Sequence, residues 1–314
     1  MTGRANQTTN RDPQPGGPIR DIANGLSVDI ADWFRVGGSN GTISRQEWDH
    51  LNERVADNTD RLLDLFADHG VTATFFVQGG LAQRRPDVVR KIADAGHEIA
   101  SHGNDHARIA NFDAITFARD ITMSRARLQD VSGRAVTGYR APSFSINRST
   151  AWAYEELARA GFTYSSSVVP ITHRHVGWSD APTTAFLPIA GSPFVELPLN
   201  TATIGRTRIA AGSGSVFRTL PYGLTRWAIR QANRVDRRPA IIQIVPDEID
   251  PAPPPAPNLW MISDAGRRSR NSSTASRLAS FVGAFRWHPL LKVAQAEVEG
   301  ATAAAPPRGI NVAA

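Results

Sequence analysis

At 314 residues the chain has room for one large domain or two small ones. Hydrophobic residues make up 41%, and no apolar run approaches the roughly 18 residues of a membrane span. The formal charge of +6 rests almost wholly on Arg, since Lys occurs only at 91 and 292; no Arg-rich block is interleaved with aromatics, so nucleic-acid binding is not expected.

Residues 1–24 are polar and rich in Gly, Pro, Asn and Gln, and read as a disordered leader. They lack the apolar core of a signal peptide, which makes the cytoplasm the expected location. Gly25 to Trp33 reads as a buried strand ending in acids. Ser44 to His69 has helical spacing, with Leu51, Val55, Leu62, Leu63, Leu65 and Phe66 as its apolar stripe, and Gly70 stops it. Val71 to Val77 is a β-branched and aromatic run suited to a central parallel strand. Pro86 opens a helix over Asp87 to Ala95 that Gly96 closes, and His97 to Ser101 is the next strand. A helix near Asp113 to Val131, a strand from Val136 to Pro142, a helix from Ser149 to Ala160 and a strand from Phe162 to Pro170 follow. Ile171 to Ser215 carries four prolines and is expected to form hairpins and long loops. Pro221 to Val235 reads as a helix, Ala240 to Val245 as a buried strand, and Pro251 to Pro257 as a stiff loop. A helix near Ser272 to Phe285 and a short element near Leu290 complete one domain spanning 25–299, with 300–314 a disordered tail. Alternating strands and helices indicate a parallel α/β barrel or open sheet, whose active site lies at the strand C-termini.

Those ends gather the chemistry. His102 and His106 follow a strand and stand four apart, the spacing that brings two imidazoles to one side of a helical turn. Asp29 and Asp32 end another strand. Two His and one Asp make an N/N/O set suited to zinc or another borderline divalent ion with an open position. Trp33, Trp48, Trp152 and Trp227 are expected in core or groove-wall packing, while Trp178 and Trp260, in Pro-flanked loops, are candidate platforms for stacking a ligand ring. His50, His69 and His288 read as structural or surface, and His97 as packed near the barrel rim.

The runs Val28-Asp29, Ala73 to Val77, Gly96 to His102 and Gly138 to Ser145 resemble the polysaccharide deacetylases. This is the NodB-homology group, carbohydrate esterase family 4, and the likeness is nearest to the branch of bacterial exopolysaccharide and exosortase loci. It implies an α/β fold, a distorted, incomplete (β/α) barrel, and hydrolysis of acetyl groups from an acetylated poly- or oligosaccharide. It further implies Asp29 as catalytic base, His102 and His106 as ligands of a divalent metal such as Zn2+, and Arg140 as the residue orienting the base beside Pro142. Asp32 is the acid left to complete the ligand set, since Ala31 stands where the branch carries Glu. Two more positions depart from the pattern: Ser165 replaces an acid, and Val245 replaces the His that acts as general acid. Asp247, Glu248 and His173 are the candidate substitutes, with His173 preferred because an unperturbed imidazole titrates near neutrality. A glycan-binding relative without turnover is the alternative.

Overall fold

The computed structural model describes residues 22–30, 53–172, 177–252 and 264–303. Strand β1 (Ala23–Ile30) is buried on both faces, as its apolar run requires. Helix α1 (Val55–Asp68) buries Val55, Leu62 and Phe66, and ends before Gly70, whose φ of +61° is the left-handed stop expected there. Strand β2 (Thr74–Val77) is followed by a short helix α2 (Gly79–Arg84) that the sequence pattern did not announce. Helix α3 (Pro86–Asp94) opens on its proline, and β3 (Glu98–Ser101) follows. Helix α4 (Ala114–Ser132) is started by a reciprocal cap between Asp113 and Thr116 and stopped by Gly133. Then come β4 (Gly138–Tyr139), α5 (Ala153–Arg159) and β5 (Tyr164–Ser165).

The proline-rich segment holds more order than hairpins alone. Its strand β6 (Val195–Glu196) joins the main sheet beside β5, while β7 (Ala202–Ile204) and β8 (Thr207–Ile209) form an antiparallel hairpin. Helices α6 (Gly214–Thr219) and α7 (Tyr222–Arg230), the latter continued by a π-helical turn to Val235, lead into β9 (Ile241–Ile244). Helix α8 (Asp264–Val282), strand β10 (Arg286–His288) and helix α9 (Leu290–Ala303) finish the chain. The element expected near Leu290 is thus a strand and a full helix.

Eight strands make one parallel sheet in the order β10-β1-β2-β3-β4-β5-β6, with β9 also paired to β1. The sheet curls into an incomplete barrel wrapped by helices. Its wall is packed with Leu26, Val28, Phe75, Val77 and Ile99, and Phe66 meets Phe75 edge-on. His97 belongs to this packing: it is buried against Phe75, its Nδ1 accepts the Ala73 N–H, and burial pulls its pKa down to about 4. Trp152 packs on the same core, as expected.

At the N-terminal ends of the strands the barrel is closed by one polar knot. Thr74 Oγ1 accepts the Leu290 N–H at 2.6 Å, and Glu98 Oε2 accepts the Leu291 N–H at 3.1 Å, so two strands cap α9 from outside. Glu98 also takes hydrogen bonds from Thr74 Oγ1 and, at 2.7 Å, from Tyr164 Oη. Gly138 makes this possible, because a Cβ there would lie 2.2 Å from Tyr164 Oη.

Candidate active site

The opposite ends of the strands hold the functional groups. Arg140 follows β4 and is fully buried, yet its donors are matched. Nη1 donates to Asp29 Oδ1 at 2.7 Å and to Ser27 Oγ at 2.8 Å. Nε donates to the Ser166 carbonyl and Nη2 to Ser166 Oγ, each at 2.8 Å. The guanidinium lies over the Phe76 ring, 4.1 Å from its centroid, and 5.0 Å from that of Phe144. A buried cation survives only when paired and hydrogen-bonded in this way. The expected Asp29–Arg140 pair is therefore present, and it uses one Asp29 oxygen.

His102 is bound to the same residue. Its Nδ1 lies 2.9 Å from the Arg140 carbonyl oxygen, which can only accept, so Nδ1 carries the proton and Nε2 keeps its lone pair. Burial pulls its pKa down to about 3, which keeps the ring neutral. The His106 ring centroid is 4.9 Å from that of His102. The pair does not sit on a helical turn. Residues 102–108 are a loop, and His106 takes a left-handed φ of +58°, so the two rings meet by a bend rather than by helical spacing. Ser143 and Phe144, after Pro142, also have φ of +57° and +48°. Non-glycine residues in this region cost about 1–3 kcal/mol each and gather at functional sites.

Two imidazoles, one oriented by a carbonyl behind it, fit a borderline divalent cation. Among the described residues no group of three or more His, Asp or Glu completes the set. Asp32, expected as the third ligand, and His173, expected as the substitute acid, both lie outside the described residues, as do Trp33, Trp48, His50, His175 and Trp260.

Ser165 points into a buried carboxylate. Glu196 of β6 accepts from Ser165, from the N–H groups of Ser167 and Val168 at 2.7 and 2.9 Å, and from Tyr154 Oη at 3.2 Å. Glu196 thereby fixes the loop that delivers Ser166 to Arg140. Neither Ser27 nor Ser166 was singled out in the sequence. Ser27 lay within reach of it, two residues before Asp29 and so on the same face of β1. One expectation for an aromatic fails: Trp178 is buried beside Phe186 and presents no sugar platform, while Trp227, expected in core or groove-wall packing, is 40% exposed on α7.

Residues 47–164 match the polysaccharide deacetylase family, and residues 166–295 match a family described as a domain of unknown function, DUF3473. The chain carries a polysaccharide deacetylase domain. His102, His106 and Arg140 lie in the deacetylase match, while Val245 and Glu248 lie in the second. A chitooligosaccharide deacetylase of Rhizobium leguminosarum bv. trifolii is 31% identical over 102 residues, 32% of this chain and 45% of that protein. A peptidoglycan deacetylase of Helicobacter pylori is 29% identical over 149 residues, 47% of this chain and 49% of the relative. The chain thus spans about half the length, or less, of the curated relatives it matches. A putative polysaccharide deacetylase from Mycobacterium smegmatis shares the fold of this chain, with a TM-score of 0.61 at 21% identity over 96% of this chain and 97% of the other. Puue allantoinase does so at a TM-score of 0.55 and 15% identity, covering 95% and 96%.

Proposed function

We propose that this protein is a divalent-metal-dependent hydrolase that removes acetyl groups from an acetylated poly- or oligosaccharide. The observation carrying the reading is the Asp29–Arg140 pair tied through the Arg140 carbonyl to His102, within a deacetylase fold. The relatives named for chitooligosaccharide and peptidoglycan support a glycan as substrate, and the likeness to the exopolysaccharide branch points the same way. A cation held by His102 and His106, with Asp32 as third donor, would act as a Lewis acid on the acetyl carbonyl, and this nitrogen-rich set suits zinc. Asp29 is the general base. Its Oδ1 is held by Arg140, which leaves Oδ2 to take the proton of the attacking water. Arg140 itself orients Asp29 and the 165–167 loop, and the wall of Phe76 and Phe144 keeps it dry.

Metal content and acetate release test this together. Wild type is expected to bind one divalent ion per chain and release acetate from one of a panel of N- and O-acetylated oligosaccharides. His102→Ala with His106→Ala should abolish the stoichiometric metal; unchanged content would refute the ligand assignment. A second reading, a glycan-binding relative without turnover, is favoured by Val245, which cannot transfer a proton where the family does so. It would be preferred if acetylated glycan binds, no acetate appears, and Val245→His with Ser165→Asp restores none.

A further inference from the structure

The 3₁₀ turn after β9 holds a buried carboxyl within electrostatic reach of Asp29. Ile244 of β9 pairs with Val28 of β1, so Val245 and Asp29 are the next residues at adjoining strand ends. The chain then turns through Pro246–Ile249, and Glu248 folds back so that Oε2 accepts the Val245 N–H at 3.1 Å. The far end of the turn is braced: Asp250 receives Arg54 through two hydrogen bonds of 2.5 and 2.7 Å, and Asn58 at 3.1 Å. Gly214 at the head of α6 leaves the carboxyl its space, since a Cβ there would lie 1.9 Å from Oε2 and 2.6 Å from Cδ.

Glu248 differs from the other buried carboxyls in its partners. Glu98 and Glu196 are each surrounded by three or more donors. Glu248 has the Val245 N–H alone among the described residues. Asp247 on its own turn and Asp29 from β1 face it as like charges, against Arg218 from α6. Arg54, at the head of α1, is committed to Asp250, and Arg277 of α8 donates to the carbonyls of Phe217 and Leu220. Burial first, then the Asp247 and Asp29 charges, push the Glu248 carboxyl up to about 8. It therefore carries its proton at neutral pH, with one oxygen uncommitted.

We propose that Glu248 is the general acid of this site, supplying the proton that Val245 cannot. The inference rests on the deacetylase reading above. Water attacks the acetamide carbonyl carbon and gives one proton to Asp29. The C–N bond breaks with its electron pair going to nitrogen, and nitrogen takes the Glu248 proton, directly or through one water. The products are acetic acid, which ionises to acetate, and the free amine. Asp29, now protonated, returns its proton to the Glu248 carboxylate through solvent, and both groups are reset.

Glu248→Gln keeps an acceptor for the Val245 N–H and removes only the acid. With an N-acetylglucosamine oligomer its kcat should fall by about 10²–10⁴-fold. With an aryl acetate, whose phenolate leaves unprotonated, the rate should match wild type. An equal loss on both substrates, or no loss on either, overturns the proposal while leaving the deacetylase reading in place. If the variant does not fold, the wild-type pH profile decides instead. Amide hydrolysis should fall through one ionisation near pH 8, and aryl acetate hydrolysis should lack that limb. A common limb, or none, overturns it. A wild type that releases no acetate from any N-acetylated oligomer refutes the reading on which the proposal rests, and the proposal falls with it.

Discussion

The two ends of the same barrel use buried carboxyls in opposite ways. At the N-terminal ends of the strands both Glu98 oxygens are engaged: Thr74, Tyr164 and the head of α9 all donate to it. At the C-terminal ends Glu248 is also buried but has one donor among the described residues, and Asp29 is held through one oxygen. Both glutamates have carboxyls pushed up by burial, so the shift alone does not separate them. Partner count does. A carboxyl with both oxygens engaged serves to join elements, and one with an oxygen to spare can exchange a proton.

Glu98→Ala should break the closed end and have the largest effect on stability. It orphans the Tyr164 hydroxyl and the Leu291 N–H, each costing about 1–3 kcal/mol. Thermal or urea unfolding would register the loss, while turnover per folded molecule stays unchanged; a matching loss of turnover would contradict the separation of the two ends. The glycines sharpen it further. Gly138→Ala and Gly214→Ala both force a Cβ into occupied space, at Tyr164 Oη and Glu248 Oε2 respectively, and overpacking of this kind costs about 1–3 kcal/mol. Gly138→Ala should lower stability alone. Gly214→Ala should lower amide turnover by more than its loss of stability accounts for, because it displaces the carboxyl. Equal kinetic behaviour of the two variants would erase the distinction.

The comparison also extends to the pH dependence of unfolding. A carboxyl whose pKa is raised in the folded state holds more protons folded than unfolded, so stability is fully present below the unfolded value and declines as pH rises. For Glu248 the decline runs from the ordinary value of 4.5 to about 8. Denaturation midpoints measured across that window should fall with pH in wild type and fall less in Glu248→Gln. Identical slopes would mean that the carboxyl is not titrating there.

Much of this arrangement was legible in the residues. β-branched and aromatic runs marked β1, β2 and β9, and Gly70 and Gly96 stopped helices where expected. The Asp29–Arg140 pair followed from the family likeness and is present at 2.7 Å. What escaped had too little sequence to carry a signal. A strand of two residues such as β6 has no period, and its place in the sheet comes from neighbours far along the chain. The histidine pair meets as its four-residue spacing suggested, but through a loop with a left-handed residue, so the spacing gave proximity without the conformation. Glu248 was one of three possible donors in the sequence. Nothing there distinguishes an acid with many donors from one with few, because the donors around it are set by α6 and β9 together.

Arg140 has a consequence for tolerance. Its side chain holds the Asp29 carboxylate and its own carbonyl holds the His102 imidazole, so the two are cross-braced through a single residue. A shift of that one residue would then disturb both groups at once. One residue thus serves as a common bracket behind two groups that arrive on different strands.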